Sequence, residues 1–423
     1  MMNSKIWLVI TCCLIVTPVW SLTLSDSIKI ALDKNPQIVA AQEKLSAAGG
    51  QLGQAKSALF PRLKLTGAYG RNYSESPSLP NEAADLTTYT LSLSQPLFVV
   101  SLPKLLTIAD ANYKSTYENL RKAQSDVVYN TTNAYYGVLK AQKGFQVIDK
   151  TVQSLEKYVK LSKIYYDSGI IGRADVMRVE TELLNTKVAR IQAQSGLQLA
   201  IASLNSLLGE ENVRETTVLD DSISANLSLP PLPELQSAAL ANRPDYRSFL
   251  EGEKIVKENI GLAAANYWPS FMLIGSSGKT ISDYSGAHLK FDLDAWQVLL
   301  SGSWNIFDSF ETPSKVAEAQ ANYNSMVAQK NQLSDGLELE VRSAYLEYQA
   351  AAEKVTAAQA AAELAQKTLQ LNEVNYEQHI TTFLSLLDAR TAATRAETAL
   401  WSARYDQELA KAKINKAVGK TIF

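Results

Sequence analysis

The chain changes its pattern within ALFPRLKLTGAYG (residues 58–70), where helix-forming residues give way to an alternating run at the pair Phe60–Pro61. Beyond this pair, apolar and polar residues alternate with the period of a β-strand that has two different faces. The outline returns as ANYWPSFMLIGSSG (265–278), around the pair Trp268–Pro269. The chain therefore makes one helix-to-strand junction twice.

An internal repeat relates these two junctions. Phe60–Pro61 is followed by Trp268–Pro269 208 residues later, and Ala111–Asn112–Tyr113 is followed by Ala321–Asn322–Tyr323 210 residues later. Small changes of spacing over about 200 residues predict the tandem duplication of one structural unit. The sequence is divided into a signal peptide (1–21), a first repeat (22–214), a linker in an equatorial region (215–234) and a second repeat (235–423).

The N-terminal segment predicts export from the cytoplasm. Lys5 precedes the apolar run 6–16, and a small-residue cleavage site follows, which is the pattern of a secretory signal peptide. Both cysteines, Cys12 and Cys13, lie in that run, so the mature chain is expected to have no thiol. This excludes disulfides, thiolate metal sites and cysteine nucleophiles. With 41 basic and 43 acidic side chains, the charge balance does not favour nucleic acid as a partner.

Each repeat is predicted to contain one β-hairpin, at 62–98 and 271–307. Polar segments at 74–86 and 279–294 are predicted to be the hairpin loops. Alternation of leucine and tyrosine with serine, threonine, lysine or arginine is typical of a wall between lipid and water. Lipid-facing strand positions are predicted at Leu63, Leu65, Tyr69, Tyr89, Leu91, Leu93, Val298 and Leu300.

Two helices of unusual length are predicted, over residues 103–166 and 313–377, and a shorter one over 36–60. At 1.5 Å per residue each long helix would span more than about 95 Å, which is too long for a globular core. Short breaks at 168–175 and 379–383 are each followed by a returning helix of about 35 residues, the arrangement of an αα-hairpin. Apolar residues recur near every 3.5 residues, which favours a supercoiled seam.

Four strands cannot close a barrel within one chain, since even a small barrel takes about eight. Copies of the chain could supply the missing strands and leave no open edge in the membrane. Two copies would give a barrel filled by side chains, whereas three leave room for an aqueous bore. The predicted fold class is mixed α/β with two structural repeats: long antiparallel helical hairpins, and four strands per chain that contribute to a 12-stranded transmembrane β-barrel in a trimer.

The duplicated halves, the aromatic–proline pair before each hairpin, the long proline-free helices and the paired tip motifs resemble the TolC-like outer-membrane efflux protein family. The resemblance covers essentially the whole mature chain and implies that the long helical hairpins form an α-barrel. It implies a homotrimer in the cell outer membrane that extends into the periplasm and works with a periplasmic adaptor protein and an inner-membrane transporter. The implied function is a passive exit duct of a tripartite efflux or type I secretion system, gated at the periplasmic helical tips. Outer-membrane lipid is an expected partner, and no cofactor is expected.

The family's tip pattern matches in both halves, at Tyr166, Gly169, Asp175 and Val176, and at Tyr376, Leu386, Leu387 and Asp388. The resemblance implies a periplasmic gate or pore mouth formed by Asp388, Ser385, Thr381 and His379. It implies adaptor-docking tips formed by Gly169, Arg173, Asp175, Val176, Leu386 and Leu387. Three copies of Asp388 would form a carboxylate ring that favours cations and binds divalent ions. The alternative for Asp388 is a solvated charge at a helix start, which is the favoured interpretation of Asp175.

The chain also departs from the family pattern. His379 stands where glycine is usual, Thr381 where some members carry arginine, and Ser385 where an aspartate often sits. A single carboxylate ring is therefore expected.

Enzymatic function is not indicated by the sequence. The stretch GSSGKT (275–280) lacks the first glycine of a phosphate-binding loop, because Leu273 stands in that position. Neither a G-x-S-x-G nor an H-E-x-x-H motif occurs. His288 and His379 are interpreted as exposed loop and turn residues, so no metal site is expected. A second hypothesis is a non-conducting periplasmic coiled-coil adaptor or spacer, although an adaptor has one hairpin and no lipid-facing wall.

Overall fold

Two units with the same order of elements follow one another in the computed structural model, which describes residues 22–73, 83–209, 219–221, 229–284 and 286–422. The first unit contains α1 (Leu24–Lys34), α2 (Pro36–Ser57), β1 (Arg62–Tyr73), β2 (Ala83–Phe98), α3 (Ser101–Asp167) and α4 (Arg173–Leu208). The second contains α5 (Leu232–Asn242), α6 (Pro244–Ala264), β3 (Ser270–Tyr284), β4 (Leu289–Ser303), α7 (Glu311–Glu377) and α8 (Phe383–Val418). The predicted signal peptide lies outside the described residues.

The long helices are those that the sequence predicts. α3 and α7 have 67 residues each, a length of about 100 Å, and α4 and α8 have 36 residues each. Along α7, Leu337, Val341, Ala344, Tyr348 and Ala351 are buried. Their spacing alternates between four and three residues, as in a coiled-coil seam. In the described part of the chain, no helix has an apolar stretch long enough to cross a membrane.

The helices lie side by side in one layer. Near the sheet the order of neighbours is α2, α3, α6 and α7, and farther from the sheet it is α4, α3, α8 and α7. α3 is therefore covered on both sides. α7 forms one edge of the layer along its whole length, while α2 and then α4 form the other edge.

α1 and α5 have no counterpart among the sequence predictions. Each has 11 residues and ends just before a proline, at Asn35–Pro36 and at Arg243–Pro244. The residue before a proline avoids the helical region, and both Asn35 and Arg243 have extended backbone conformations. The prolines thus divide each entry segment into two helices.

The sheet has four antiparallel strands in the order β1-β2-β3-β4. The two predicted hairpins are therefore neighbours in one wall, joined by the pairing of β2 with β3. One row of the register runs across all four strands through Leu63, Leu93, Gly275 and Val298. β1 and β4 are the edge strands.

Two predicted boundaries are corrected by the structure. The predicted loop 279–294 is mostly sheet, because β3 continues to Tyr284 and β4 begins at Leu289. Its charged residues are accommodated by pairing across strands, as the Lys279 Nζ to Asp292 Oδ2 distance of 2.9 Å shows.

The other correction is smaller. The predicted loop 74–86 includes the start of β2 at Ala83, and its residues 74–82 lie outside the described residues. α5 begins at Leu232, within the predicted linker 215–234, and the division of the chain into repeats and linker stays a prediction.

One face of this sheet, called the apolar face below, carries all eight predicted lipid-facing side chains. The register places them there: Leu63, Leu65, Tyr69, Tyr89, Leu91, Leu93, Val298 and Leu300. All eight are exposed in the single chain. The opposite face carries residues such as Lys64, Ser92, Ser276 and Gln297, which form one row. The eight residues therefore share one face of the sheet, as the alternation predicts, and the contact of this face with lipid stays a prediction.

Candidate functional site

Both helical hairpins turn at their tips in the same way. After α3, Gly169 has φ 73°, and the Ile170 N–H donates to the Tyr165 carbonyl at 2.8 Å. After α7, His379 has φ 60°, and the Ile380 N–H donates to the Asn375 carbonyl at 2.8 Å. For a residue with a side chain, this left-handed conformation is less favourable than the right-handed helical one by about 1–2 kcal/mol. His379 therefore occupies a glycine position at a cost that its contacts must offset.

His379 makes such a contact with the other hairpin. Its ring meets the ring of Tyr165 edge-on, with 4.2 Å between centroids. Tyr376 lies next to both Tyr165 and Phe383, with centroid distances of 6.1 Å to each. Aromatic pairs in this geometry are favourable by about 0.5–1.5 kcal/mol beyond their buried area. The aromatic cluster fixes the α7–α8 tip against the α3–α4 tip.

A half-buried arginine joins three helices above this cluster. Arg390 of α8 forms an ion pair with Glu373 of α7. It also donates to the Ser154 hydroxyl at 3.1 Å and to the Tyr158 hydroxyl at 3.2 Å, both on α3. Burial raises the pKa of Tyr158 to about 12, so this hydroxyl stays protonated and donates to Glu373 at 3.0 Å. Sequence reasoning missed this network.

One signal in the sequence could have found it. On α8 the positions Phe383, Leu386, Ala389 and Ala393 are buried. Arg390 follows Leu386 by four residues and so falls next to this buried stripe. An arginine at such a position needs a carboxylate partner, because an unpaired buried charge is strongly unfavourable.

The predicted gate residues lie on the exposed side of the second tip. Thr382 caps α8 and accepts from the Ser385 N–H at 3.3 Å. Ser385 and Asp388, three residues apart, are both exposed on one side of the helix, and Thr381 is half-buried. Within the described part of the chain, the Asp388 carboxylate has no hydrogen-bond or ion-pair partner. It is free to face the axis of an assembly.

The predicted docking residues are divided between the surface and the interior. Gly169 and Arg173 are exposed, and Asp175 and Leu387 are half-buried. Val176 and Leu386 are buried within the single chain, where Leu386 belongs to the aromatic cluster's core. The surface that a partner could touch therefore excludes these last two. Among the described residues, no group of three or more His, Cys, Asp or Glu side chains could hold a metal ion.

Comparison with known proteins agrees with this architecture. The family described as outer membrane efflux protein matches residues 27–210 and 235–420, which are the two repeats. The chain belongs to this family. The match covers most of the sequence and both copies of the unit.

Two curated relatives illustrate the range of this family. The outer membrane protein TolC of Escherichia coli (strain K12) is 22% identical, over 91% of this chain and 80% of its own length. The alkaline protease secretion protein AprF of Pseudomonas aeruginosa is 23% identical, over 95% of this chain and 85% of its own length.

A solved structure shows the same fold. The outer membrane channel CmeC of Campylobacter jejuni superimposes with a TM-score of 0.81 at 18% identity, over 94% of this chain and 85% of that chain. The predicted family is confirmed, as are the two-repeat fold of long helical hairpins with four antiparallel strands, an outer-membrane location and the function of an outer-membrane efflux channel. The family consists of channel proteins, and the alternative of a non-conducting adaptor loses its support.

Proposed function

We propose that three copies of this chain form the channel, with a β-barrel in the outer membrane and a helical barrel in the periplasm. The observation that carries the proposal is that the sheet has two unpaired edges, β1 and β4. An edge strand in hydrocarbon exposes N–H and C=O groups that lipid cannot satisfy. Pairing β1 of one copy with β4 of the next removes every edge, and three copies give a bore wide enough for water.

The edges of the helical layer support the same closure. Exposed apolar side chains follow α4 at Met177, Leu184, Val188 and Ile191. Others follow α7 at Leu339, Leu346, Leu364, Leu371 and Val374. Apart from the interval of 18 residues between Leu346 and Leu364, the spacings are seven, four and three residues, which are those of coiled-coil seams. Burying such side chains is favourable by about 25 cal/mol per Å², so we infer that α4 of one copy packs against α7 of the next.

Aromatic residues mark the proposed level of the membrane. At the junction between helices and sheet, exposed aromatic side chains are Phe60, Phe98, Trp268, Trp304, Phe307 and Phe310. Such girdles form at the interfaces of membrane barrels. The 12 residues of β1, Arg62–Tyr73, span about 37 Å along the strand, and at a tilt of about 40° they rise about 28 Å, enough to cross the apolar band of about 25 Å in such barrels. The apolar face is thus assigned to outer-membrane lipid.

The gate is proposed to lie at the tips of α7 and α8, around the threefold axis. Asp388 would form the carboxylate ring, with Ser385, Thr381 and His379 beside it. The exposed and unpartnered state of the Asp388 carboxylate supports this role. Opening would move the α7–α8 hairpin away from α3, which requires breaking the Arg390 network and the contact between His379 and Tyr165.

Partners are proposed at the periplasmic end. The tips at Gly169, Arg173, Asp175 and Leu387 would meet a periplasmic adaptor, which in turn would bring an inner-membrane transporter. One relative is named for the secretion of alkaline protease, and others are named for efflux. A tripartite efflux pump and a type I secretion system are therefore the two assemblies in which we propose that this chain works. We retain the division into 22–214, 215–234 and 235–423 as a proposal.

A bilayer experiment tests the channel. The mature protein should be extracted only by detergent, migrate as a heat-sensitive trimer and produce stepwise conductance in planar lipid bilayers. Replacing the seam residues Leu184 and Ile191 by aspartate should shift the trimer towards monomers, whereas Asn185→Asp, at an exposed position of α4 outside this spacing, should leave it intact. A buffer-soluble monomer without conductance would contradict the proposal and favour the spacer.

A further inference from the structure

The two faces of the sheet differ in how their charges are paired. On the apolar face, Arg71 Nε lies 3.0 Å from Asp85 Oδ1, and Lys279 pairs with Asp292. On the opposite face, Arg62 and Lys64 are both exposed. Neither side chain has an ion pair or hydrogen bond with any residue that the structure describes. The positive charges of Arg62 and Lys64 on the opposite face are therefore not neutralised by a described residue.

No carboxylate shares that face within the described strands. All four acidic residues of the strands, Asp85, Asp283, Asp292 and Asp294, lie on the apolar face by the register. The opposite face of β4 has no acidic residue from Leu289 to Ser303. β4 is the strand that would pair with β1 of the next copy, so no register of closure could neutralise the two cations.

The acidic groups at the junction between β4 and α7 have partners of their own. The Asp308 carboxylate accepts from Thr312, and Glu311 pairs with Lys315. These contacts hold both carboxylates at the start of α7. Among the described strand residues at the base of the sheet, Arg62 and Lys64 are therefore left as unpaired charges.

The orientation of these cations follows from their place in the strand. Arg62 and Lys64 are the first and third residues of β1 and alternate with Leu63 and Leu65. A cation that faces lipid near the interface costs only about 0–1 kcal/mol, so the depth of these residues does not decide their orientation. Leu63 and Leu65 lie on the apolar face, which is assigned to lipid above, and the opposite face is therefore turned to the water-filled interior of the barrel.

We propose that Arg62 and Lys64 of three copies form a ring of six cations at the base of the β-barrel interior, and that this ring binds and admits small molecules with two or more negative charges. The proposal rests on the trimeric channel proposed above. Rings of Arg and Lys select anions in pores. The residues 208 positions later, Ser270 and Met272, are uncharged, so only the first hairpin contributes. Anionic cargo would be attracted here, beyond the carboxylates of the periplasmic mouth.

Block of the channel by tripolyphosphate tests the ring. The probe is added to the side of a planar bilayer that faces the β-barrel, and the half-blocking concentration is measured from single-channel currents. In Arg62→Gln/Lys64→Gln this concentration is expected to rise about tenfold or more, because the Coulomb attraction is lost. The reversal potential in a KCl gradient should move towards cation preference.

A matched control removes two cations from the apolar face. The double variants Arg71→Gln/Lys279→Gln and Arg62→Lys/Lys64→Arg should have the same half-blocking concentration of tripolyphosphate as the wild type. Should the double variant fail to insert, the single variants Arg62→Gln and Lys64→Gln are each expected to raise the half-blocking concentration about threefold. Channels with unchanged block in these variants would overturn the ring alone. A wild-type trimer that forms no channel would overturn the proposed function and the ring with it.

Discussion

Arg390 of α8 and Glu373 of α7 form an ion pair across the tip of their own hairpin, and the same guanidinium reaches α3. Only 13% of the Arg390 side chain and 32% of the Glu373 side chain are exposed. Because Ser154 and Tyr158 of α3 also accept hydrogen bonds from Arg390, the pair joins the second hairpin to the first. Any opening that separates α8 from α3 must break these bonds.

Removal of this arginine should favour the open state. Arg390→Ala leaves Glu373 half-buried without its cation, and after allowance for its exposure this costs the closed tip about 1–3 kcal/mol. We expect single-channel conductance to rise several-fold in planar bilayers, with a smaller rise for Glu373→Gln. Arg395→Ala is the control, since Arg395 is exposed on the same helix and has no partner among the described residues. Equal conductance of Arg390→Ala and the wild type would show that this network does not hold the gate.

The carboxylate of Asp388 should govern ion preference at the mouth. Asp388→Asn removes three charges from the proposed ring, so cation preference should fall and the concentration of divalent ions needed for half-block should rise about tenfold. Reversal potentials and single-channel currents measure both effects. Asp175→Asn is the matched control at the other tip, where a helix-start role predicts wild-type behaviour. If Asp388→Asn and Asp175→Asn behave alike, the ring is wrong.

Local periodicity explains what the sequence could predict. The alternation around Leu63 and Leu91 predicts which residues share a face of the strands, and the unbroken helical pattern predicts α3 and α7. Both patterns involve only residues that are a few positions apart in the sequence. The structure agrees with these predictions because neighbouring elements pack onto faces that the pattern already defines.

Pairing between distant segments explains what the sequence could not predict. Lys279, Asp292 and Asp294 resemble loop residues until β3 and β4 pair and bring opposite charges together. Arg390 and Glu373 gain their role only when α3, α7 and α8 pack side by side. The roles of the gate and docking residues are inferred from the resemblance to the family, and they remain predictions.

The glycine that ends α8 should be essential for stability. Gly419 has φ 71°, and a Cβ there would lie 2.9 Å from the backbone N and Cα of Arg243. Backbone atoms cannot move aside as a side chain can, so strain and overlap together should cost Gly419→Ala about 2–4 kcal/mol. A lower melting temperature of the detergent-solubilised protein measures this loss. Gly336→Ala is the control, because a Cβ at this position of α7 meets nothing within 4 Å and alanine favours helix by about 1 kcal/mol. Equal melting temperatures would contradict the prediction.

Asp245, at the end of α6 away from the sheet, links stability to pH. Burial alone would raise the pKa of Asp245, but hydrogen bonds from Arg243 at 2.6 and 3.0 Å and from the Tyr246 N–H at 2.9 Å outweigh it. The pKa of Asp245 therefore lies below its usual value of 3.8. A depressed folded-state pKa adds stability above the unfolded-state value of about 3.9, and this stability is lost as the pH falls through the folded-state value.

Acid should accordingly destabilise the wild type more than an Asp245→Asn variant. The melting temperature of the wild type should be steady between about pH 7 and pH 5 and fall below about pH 4. Asp245→Asn should be less stable at pH 7 by about 1–3 kcal/mol, since Arg243 keeps only Glu340 as a carboxylate partner, and should lose less on acidification. Asp335→Asn is the control, because Asp335 is exposed and has no partner within the described residues, and it should follow the wild type. If the two variants lose stability in parallel below pH 4, the pair of Arg243 and Asp245 is not the source of the acid sensitivity.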